Sequence, residues 1–164
     1  DMSDRFEKTG IDENELVAIA RKFAGRLDAG GVVFLKGELG AGKTTFARAL
    51  MSALGVGERI KSPTYSLIES YRSGQQPVHH LDLYRIAHAG ELEWLGLPDL
   101  LDDRALILVE WPERAGAALP PADLVIELRH AGERRDFSVT AVSAAGLASL
   151  QGLRGALAPT VGST

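Results

Sequence analysis

The stretch GELGAGKT at residues 37–44 constrains this chain more than any other. It satisfies the phosphate-loop pattern G-x-x-x-x-G-K-[ST] at every position, and that pattern works where a strand leads in and a helix leads out. Both are legible. Residues 32–36, VVFLK, are a short β-rich run suited to a central strand. Residues 43–54 place Phe46, Ala49, Leu50 and Ala53 on one helical face, with Gly55 as the stop. Between them, Gly37, Gly40 and Gly42 let the backbone curl so that successive N–H groups point inward at an anion. The helix adds the positive end of its dipole. In such a loop the Lys43 ammonium reaches the β- and γ-phosphates of a nucleotide, and the Thr44 hydroxyl ligates Mg²⁺.

A phosphate loop needs a second anchor for its magnesium, usually an acid at the tip of a neighbouring buried strand. Residues 106–109, LILV, read as such a strand and end in Glu110. Glu110 is therefore expected to reach the metal or one of its waters. A second acid, Asp82, lies in HHLDLYR at 79–85. Two histidines beside an acid suggest zinc, but alternation along a strand puts His80 and Asp82 on one face and His79 on the other. The chain has no cysteine, and its only other histidines are His88 and His130, so no zinc site is expected. Asp82 is expected to act on a magnesium-bound water or as a general base, and His80 to be structural. SPTY at 62–65 lies where many phosphate-loop switches sense the γ-phosphate through a hydroxyl, which makes Thr64 the candidate. Trp111 either packs in the core or caps the site and meets a partner. Trp94 reads as core.

Elsewhere, DENE at 12–15 approximates a capping box, and Leu16, Ile19, Ala20, Phe23 and Leu27 follow at helical spacing up to DAGG at 28–31. Residues 65–72 and 78–83 read as a hairpin turning at 73–77, residues 89–102 as short helices broken at Gly96 and Pro98, and residues 124–129 and 135–142 as a second hairpin around 131–133. Leu147, Leu150, Leu153 and Leu157 mark a closing helix, weakened by about 1 kcal/mol at each of Gly152 and Gly155. This order points to the α/β class: a three-layer P-loop NTPase-like domain with a mixed parallel and antiparallel sheet, residues 1–164 forming one ATPase domain. Residues 1–8, DMSDRFEK, lack the apolar centre of a signal peptide. With Asp1 ahead of Met2, they are expected to be disordered or extraneous. Apolar runs stop far short of the roughly twenty residues a membrane span needs, so no membrane association is expected. The absence of cysteine suits a reducing cytoplasm. A net charge of −4 is poorly suited to gripping a polyanion over many phosphates.

A guanine-reading loop of the N-K-x-D type is missing, because the only asparagine is Asn14 and Glu15 follows it. ATP is therefore expected rather than GTP. A small-molecule kinase is the alternative reading. It would want an arginine-rich lid, and Arg85, Arg114, Arg134 and Arg135 form no clustered lid segment.

Five segments together resemble the TsaE family: GELGAGKTT at 37–45, KSPTY at 61–65, HLDLYR at 80–85, ELEWLGLPDLL at 91–101 and LVEWPE at 108–113. The resemblance spans roughly residues 30–130. It implies an ATPase of tRNA threonylcarbamoyladenosine biosynthesis that is not itself the transferase. Such a protein binds the TsaB–TsaD heterodimer and resets it between turnovers by hydrolysing ATP, while adenosine 37 of tRNAs reading ANN codons is modified; tRNA is met only indirectly, through the complex. Carried over by motif, Lys43 and the backbone of Leu39, Gly40, Ala41, Gly42, Lys43, Thr44 and Thr45 hold the phosphates. Thr44 and Glu110 serve Mg²⁺, Asp82 is tied to hydrolysis, Thr64 sits in a switch-like loop, and Trp111 matches an aromatic beside the site. The family places residues before the first helix and near the last hairpin around adenine, and neither region carries a motif that assigns them here.

Overall fold

The structure is a computed structural model and describes residues 4–60, 67–87, 90, 100–102 and 104–157. In chain order the elements are β1 (Arg5–Ile11), α1 (Glu13–Ala24), β2 (Gly31–Gly37), α2 (Lys43–Leu54), β3 (Ile68–Ser73), β4 (Gln76–Asp82), β5 (Leu106–Glu110), β6 (Leu124–Ala131), β7 (Arg134–Ala141) and α3 (Ala144–Leu157). Two short 3₁₀ turns, Pro112–Arg114 and Gly116–Ala118, follow β5. No helix among the described residues is long and apolar enough to cross a membrane.

The seven strands form one sheet in the order β1-β7-β6-β2-β5-β4-β3. Its centre is parallel: β2 pairs with β6 on one side and β5 on the other, and β5 pairs with β4. Antiparallel strands complete both ends. Strand alternation divides the sheet residues between two cores. Val33 and Leu35 of β2, Leu106 and Leu108 of β5, Ile126 and Leu128 of β6, and Phe137 and Val139 of β7 share the larger core with the buried faces of α1, α2 and α3. Phe23, Phe46 and Phe137 meet there with ring centroids 5.5–6.3 Å apart, tying α1 and α2 to β7. The opposite face has a smaller core of Val32, Leu81, Ile107 and Val109, covered by chain following β4 and β5, including Leu83, Ala115 and Leu119. That covering spans only half the sheet. Over β6, β7 and β1 the same face carries Glu127, Arg129, Asp136, Ser138, Arg5 and Glu7, with Arg5 bonded to Glu7 and Arg129 to Glu127.

Helix α1 starts on a complete capping box. Glu15 N donates to Asp12 Oδ1 at 2.8 Å, and Asp12 N donates to Glu15 Oε1 at 3.3 Å. The helix ends at Ala24, one turn before the expected reach to Leu27, because the chain tightens at Gly25 with Arg26 N bonded to Phe23 O. Leu27 is still buried, delivered by that turn. A larger correction concerns the N-terminus. Residues 5–8, expected to be disordered or extraneous, belong to β1, which pairs with β7 from Arg5↔Thr140 onward. Both hairpins form with two-residue turns, Gly74-Gln75 and Gly132-Glu133, whose glycines adopt positive φ. The short helices expected at 89–102 fall almost entirely outside the described residues, as do Trp94 and His88.

Helix α3 is anchored through Asp123. Its carboxylate accepts from Val32 N at 2.8 Å and from Ser143 Oγ at 2.6 Å, and its carbonyl accepts from Val142 N. Gly146 packs so closely that a β-carbon there would lie 1.9 Å from Asp123 O. Alanine would gain about 1 kcal/mol of helix propensity. Overpacking at such a distance exceeds that, and Gly146→Ala is expected to destabilise the protein by roughly 3 kcal/mol net, lowering Tm by about 6–12 °C in a thermal melt.

Candidate active site

The phosphate loop leaves β2 at Gly37 and enters α2 at Lys43. Two of its glycines are obligatory on steric grounds. Gly37 has φ 148°, and a β-carbon on it would lie 2.4 Å from Leu128 O on β6. Gly42 has φ 112°, a backbone conformation that residues with a side chain rarely adopt, and the Arg135 guanidinium lies close against it. Helix α2 begins without a side-chain cap and without an acid in its first turn, so its first amides and positive dipole end face the cleft uncompensated. Thr45, Lys43, Gly42 and Gly40 line that cleft, which holds about 320 Å³.

Glu110 ends β5 between Leu35 of β2 and Asp82 of β4, the residues it faces in register. This is the C-terminal edge of the parallel strands, where open α/β sheets place their ligands. Glu110 is only 2% exposed. Its Oε1 accepts from Thr44 Oγ1 at 2.8 Å and its Oε2 accepts from His80 Nε2 at 2.5 Å. The Thr44 proton therefore points at the carboxylate, which leaves the hydroxyl lone pairs free. Asp82 lines the same cleft but is exposed, and its Oδ1 accepts from Tyr84 N at 3.1 Å. A hydroxyl and carboxylates are hard oxygen donors that fit magnesium, and they are too few to form a complete cage. A magnesium ion held here would fill its coordination with phosphate oxygens and water.

Lys43 is buried, and its ammonium donates to Gly37 O and to Glu38 O, the latter at 3.0 Å, while lying 4.0 Å from the centre of the Trp111 ring. Burial lowers its pKa; the negative charges of Glu110, Glu113 and Asp82 oppose that without cancelling it. Trp111 thus sits on the site, partly buried and packed against the edge of the smaller core. Its backbone adopts φ 59°, unusual for a bulky residue, and this turns the chain after Glu110 so that the ring covers Lys43. Tyr84 packs against it at 5.0 Å and Arg114 lies beside both rings.

His80 shares a face with Asp82, as alternation predicts, and is buried between two acids, with Nδ1 lying 3.4 Å from Glu69 Oε1. Burial alone would lower its pKa, but the hydrogen bond to Glu110 and the charges of Glu110 and Glu69 outweigh burial and raise it. His79 faces the other way, pairing with Ser70 Oγ at 2.8 Å, and burial lowers its pKa. Among the described residues, no group of three or more His, Asp or Glu side chains is placed to hold a metal without other donors. Thr64, with the rest of 61–66, lies outside the described residues.

The sequence did not single out the opposite wall. Glu13, at the start of α1, and Arg135, at the start of β7, line the cleft beside Gly42 and Thr45. His130 at the end of β6 donates Nε2–H to Leu39 O at 3.1 Å and supports the loop apex. Arg135 and His130 reach the site because β6 is the other neighbour of β2, a pairing that no local pattern in the chain announces.

A family model described as threonylcarbamoyl adenosine biosynthesis protein TsaE matches residues 11–137. The tRNA threonylcarbamoyladenosine biosynthesis protein TsaE of Haemophilus influenzae is 35% identical over 135 residues, covering 79% of this chain and 85% of that one. The Bacillus subtilis protein of the same name is 37% identical over 133 residues, covering 80% and 83%. The crystal structure of Bacillus subtilis YdiB superposes with a TM-score of 0.76 at 30% identity, covering 93% of this chain and 95% of that one.

Proposed function

Because the chain belongs to the TsaE family of threonylcarbamoyl adenosine biosynthesis proteins, we propose that it binds ATP with Mg²⁺ and hydrolyses it as a regulatory subunit. It works in the cytoplasm on a TsaB–TsaD heterodimer while the threonylcarbamoyl group is installed on adenosine 37 of tRNAs reading ANN codons. The observation that carries the ATPase reading is the convergence of Lys43, Thr44 and Glu110 on one cleft, with Thr44 and Glu110 in direct contact at 2.8 Å.

The chemistry follows from what each group can do. Backbone amides of residues 39–45 and the end of α2 bind the phosphate tail. The Lys43 ammonium exchanges its carbonyl acceptors for phosphate oxygens. Glu110 takes the Thr44 proton in a hydrogen bond and turns the hydroxyl oxygen toward the metal position. Bound magnesium would supply charge neutralisation on the phosphate oxygens. Asp82, accessible at the cleft rim, orients a water and accepts its proton as that water's oxygen bonds to the γ-phosphorus and the bond to the β-phosphate oxygen breaks, giving ADP and phosphate. Arg135 lies beside Gly42 and adds charge on the nucleotide side of the loop. Arg135→Ala is expected to weaken ATP binding about tenfold by calorimetry, the loss of roughly one charge-assisted hydrogen bond.

The net charge of −4 supports a role in which other subunits hold the tRNA. The test is steady-state phosphate release by the purified chain with and without TsaB–TsaD. Slow turnover alone, stimulated by the heterodimer, is expected. Vigorous turnover that ignores the heterodimer would overturn the proposed role, and phosphate transfer to a metabolite instead of water would favour a small-molecule kinase.

A further inference from the structure

Behind Glu110 the polar side chains form a continuous line across the edge of the sheet. Thr44 of α2 bonds to Glu110 of β5 at 2.8 Å, Glu110 to His80 of β4 at 2.5 Å, His80 lies 3.4 Å from Glu69 of β3, and Glu69 bonds to Arg59 at 3.0 Å. Strand register produces this line, since Glu69 and His80 are directly opposed and therefore share the helix-facing side of the sheet. Exposure rises steadily along it. The side chains of Glu110 and His80 are 2% and 5% exposed, that of Glu69 is 37% and that of Arg59 is 60%. A histidine that merely fills a core is satisfied by one acceptor, often a backbone carbonyl. Here both ring nitrogens face carboxylates, and one of these is the carboxylate that contacts Thr44.

Glu110 has two oxygens, and Thr44 engages only one. Without a donor on the other, the carboxylate could rotate about its last torsion and lose its aim. His80 fills that role, and Glu69 fixes which way the imidazole ring is turned. We infer that His80 is a positioning residue for the magnesium site, oriented by Glu69, so that metal affinity depends on a side chain at the exposed edge of the sheet. This rests on the magnesium–nucleotide reading given above. Partners that orient a metal-directed side chain typically change metal affinity by about 10–100-fold when removed.

The test uses the purified full chain, with Mn²⁺ as the paramagnetic probe and AMP-PNP as the nucleotide, and bound Mn²⁺ read by electron paramagnetic resonance. Glutamine at position 80 keeps an amide N–H near the place of Nε2, whereas asparagine is one carbon too short to reach Glu110. His80→Asn is expected to weaken Mn²⁺ binding by about 10–100-fold, and His80→Gln to recover most of it. AMP-PNP affinity in EDTA should be unchanged in both. Mn²⁺ affinity like that of the wild type in His80→Asn would overturn the inference. So would an equal loss of metal-free AMP-PNP binding, which marks a general structural role. Should His80→Asn fail to fold, Glu69→Gln decides the matter from the partly exposed end. Several-fold weaker Mn²⁺ binding at unchanged Tm supports the inference, and unchanged Mn²⁺ binding overturns it. A wild-type chain that shows no Mn²⁺-dependent nucleotide binding at all would sink the proposed function as well, and is distinguishable from either variant result.

Discussion

Glu110→Ala is expected to remove magnesium-dependent ATP turnover almost completely and to destabilise the protein at the same time. The catalytic loss follows from Thr44. Its hydroxyl proton is directed by Glu110 Oε1, and without that acceptor the hydroxyl is free to turn its proton toward the metal position. Loss of one preorganised electrostatic contact of this kind costs about 10²–10³ in rate. The stability loss follows from His80, which is buried and keeps Glu110 as its closest partner. Breaking one side of a buried pair costs about 3–5 kcal/mol because the remaining group stays desolvated. Glu110→Gln separates the two effects only in part. Its amide oxygen can still accept from Thr44, but its NH₂ group then faces His80 Nε2, which can accept it only as the neutral Nδ1–H tautomer, so the contact is kept without its charge. Phosphate-release kinetics and a denaturant melt on both variants check this. Alanine should fail in both assays, and glutamine should retain more stability than alanine.

Lys43→Ala is expected to show the opposite pattern, a large functional loss with little change in stability. The Lys43 ammonium is buried, and its pKa is lowered by that burial against the pull of Glu110, Glu113 and Asp82, so holding it there is not a net source of folding energy. Its acceptors, Gly37 O and Glu38 O, belong to a loop at the cleft mouth that water can reach once the side chain is gone. Its contact with phosphate oxygens would be charge-assisted on both partners. ATP affinity is therefore expected to fall by about 10²–10³-fold in calorimetry, with Tm within a few degrees of the parent. A Tm drop as large as that of Glu110→Ala would contradict this assignment of Lys43.

What was legible in the chain follows the range of the interactions that decide it. The strand–loop–helix around GELGAGKT is local: glycine conformation, helical periodicity and the stop at Gly55 all act within a few residues, and α2 begins and ends where they place it. Glu110 was legible because four apolar residues followed by an acid describe a strand tip. The face shared by His80 and Asp82 was legible from alternation. Strand β1 was not, because RFEKTGI alternates weakly and only Ile11 is fully buried. It is a strand because β7 offers an unpaired edge, a fact of tertiary structure. Arg135 and His130 escaped for the same reason. Each lies far along the chain from the loop it touches, and only the insertion of β6 between β7 and β2 brings the last hairpin alongside. Trp111 was ambiguous until its positive φ settled which way the ring turns.

The placement of β6 has a consequence for biosynthesis. The phosphate loop is translated well before one of its walls, from Leu128 against Gly37 to Arg135 against Gly42, which is made from residues far downstream. Long-range parallel pairing forms late, after the entropy of closing the intervening chain has been overcome. A nascent polypeptide still tethered to the ribosome with residues 124–141 inside the exit tunnel carries the full motif but lacks half of the mould that shapes it. The surroundings of the loop are complete only once residues 124–141 have left the tunnel.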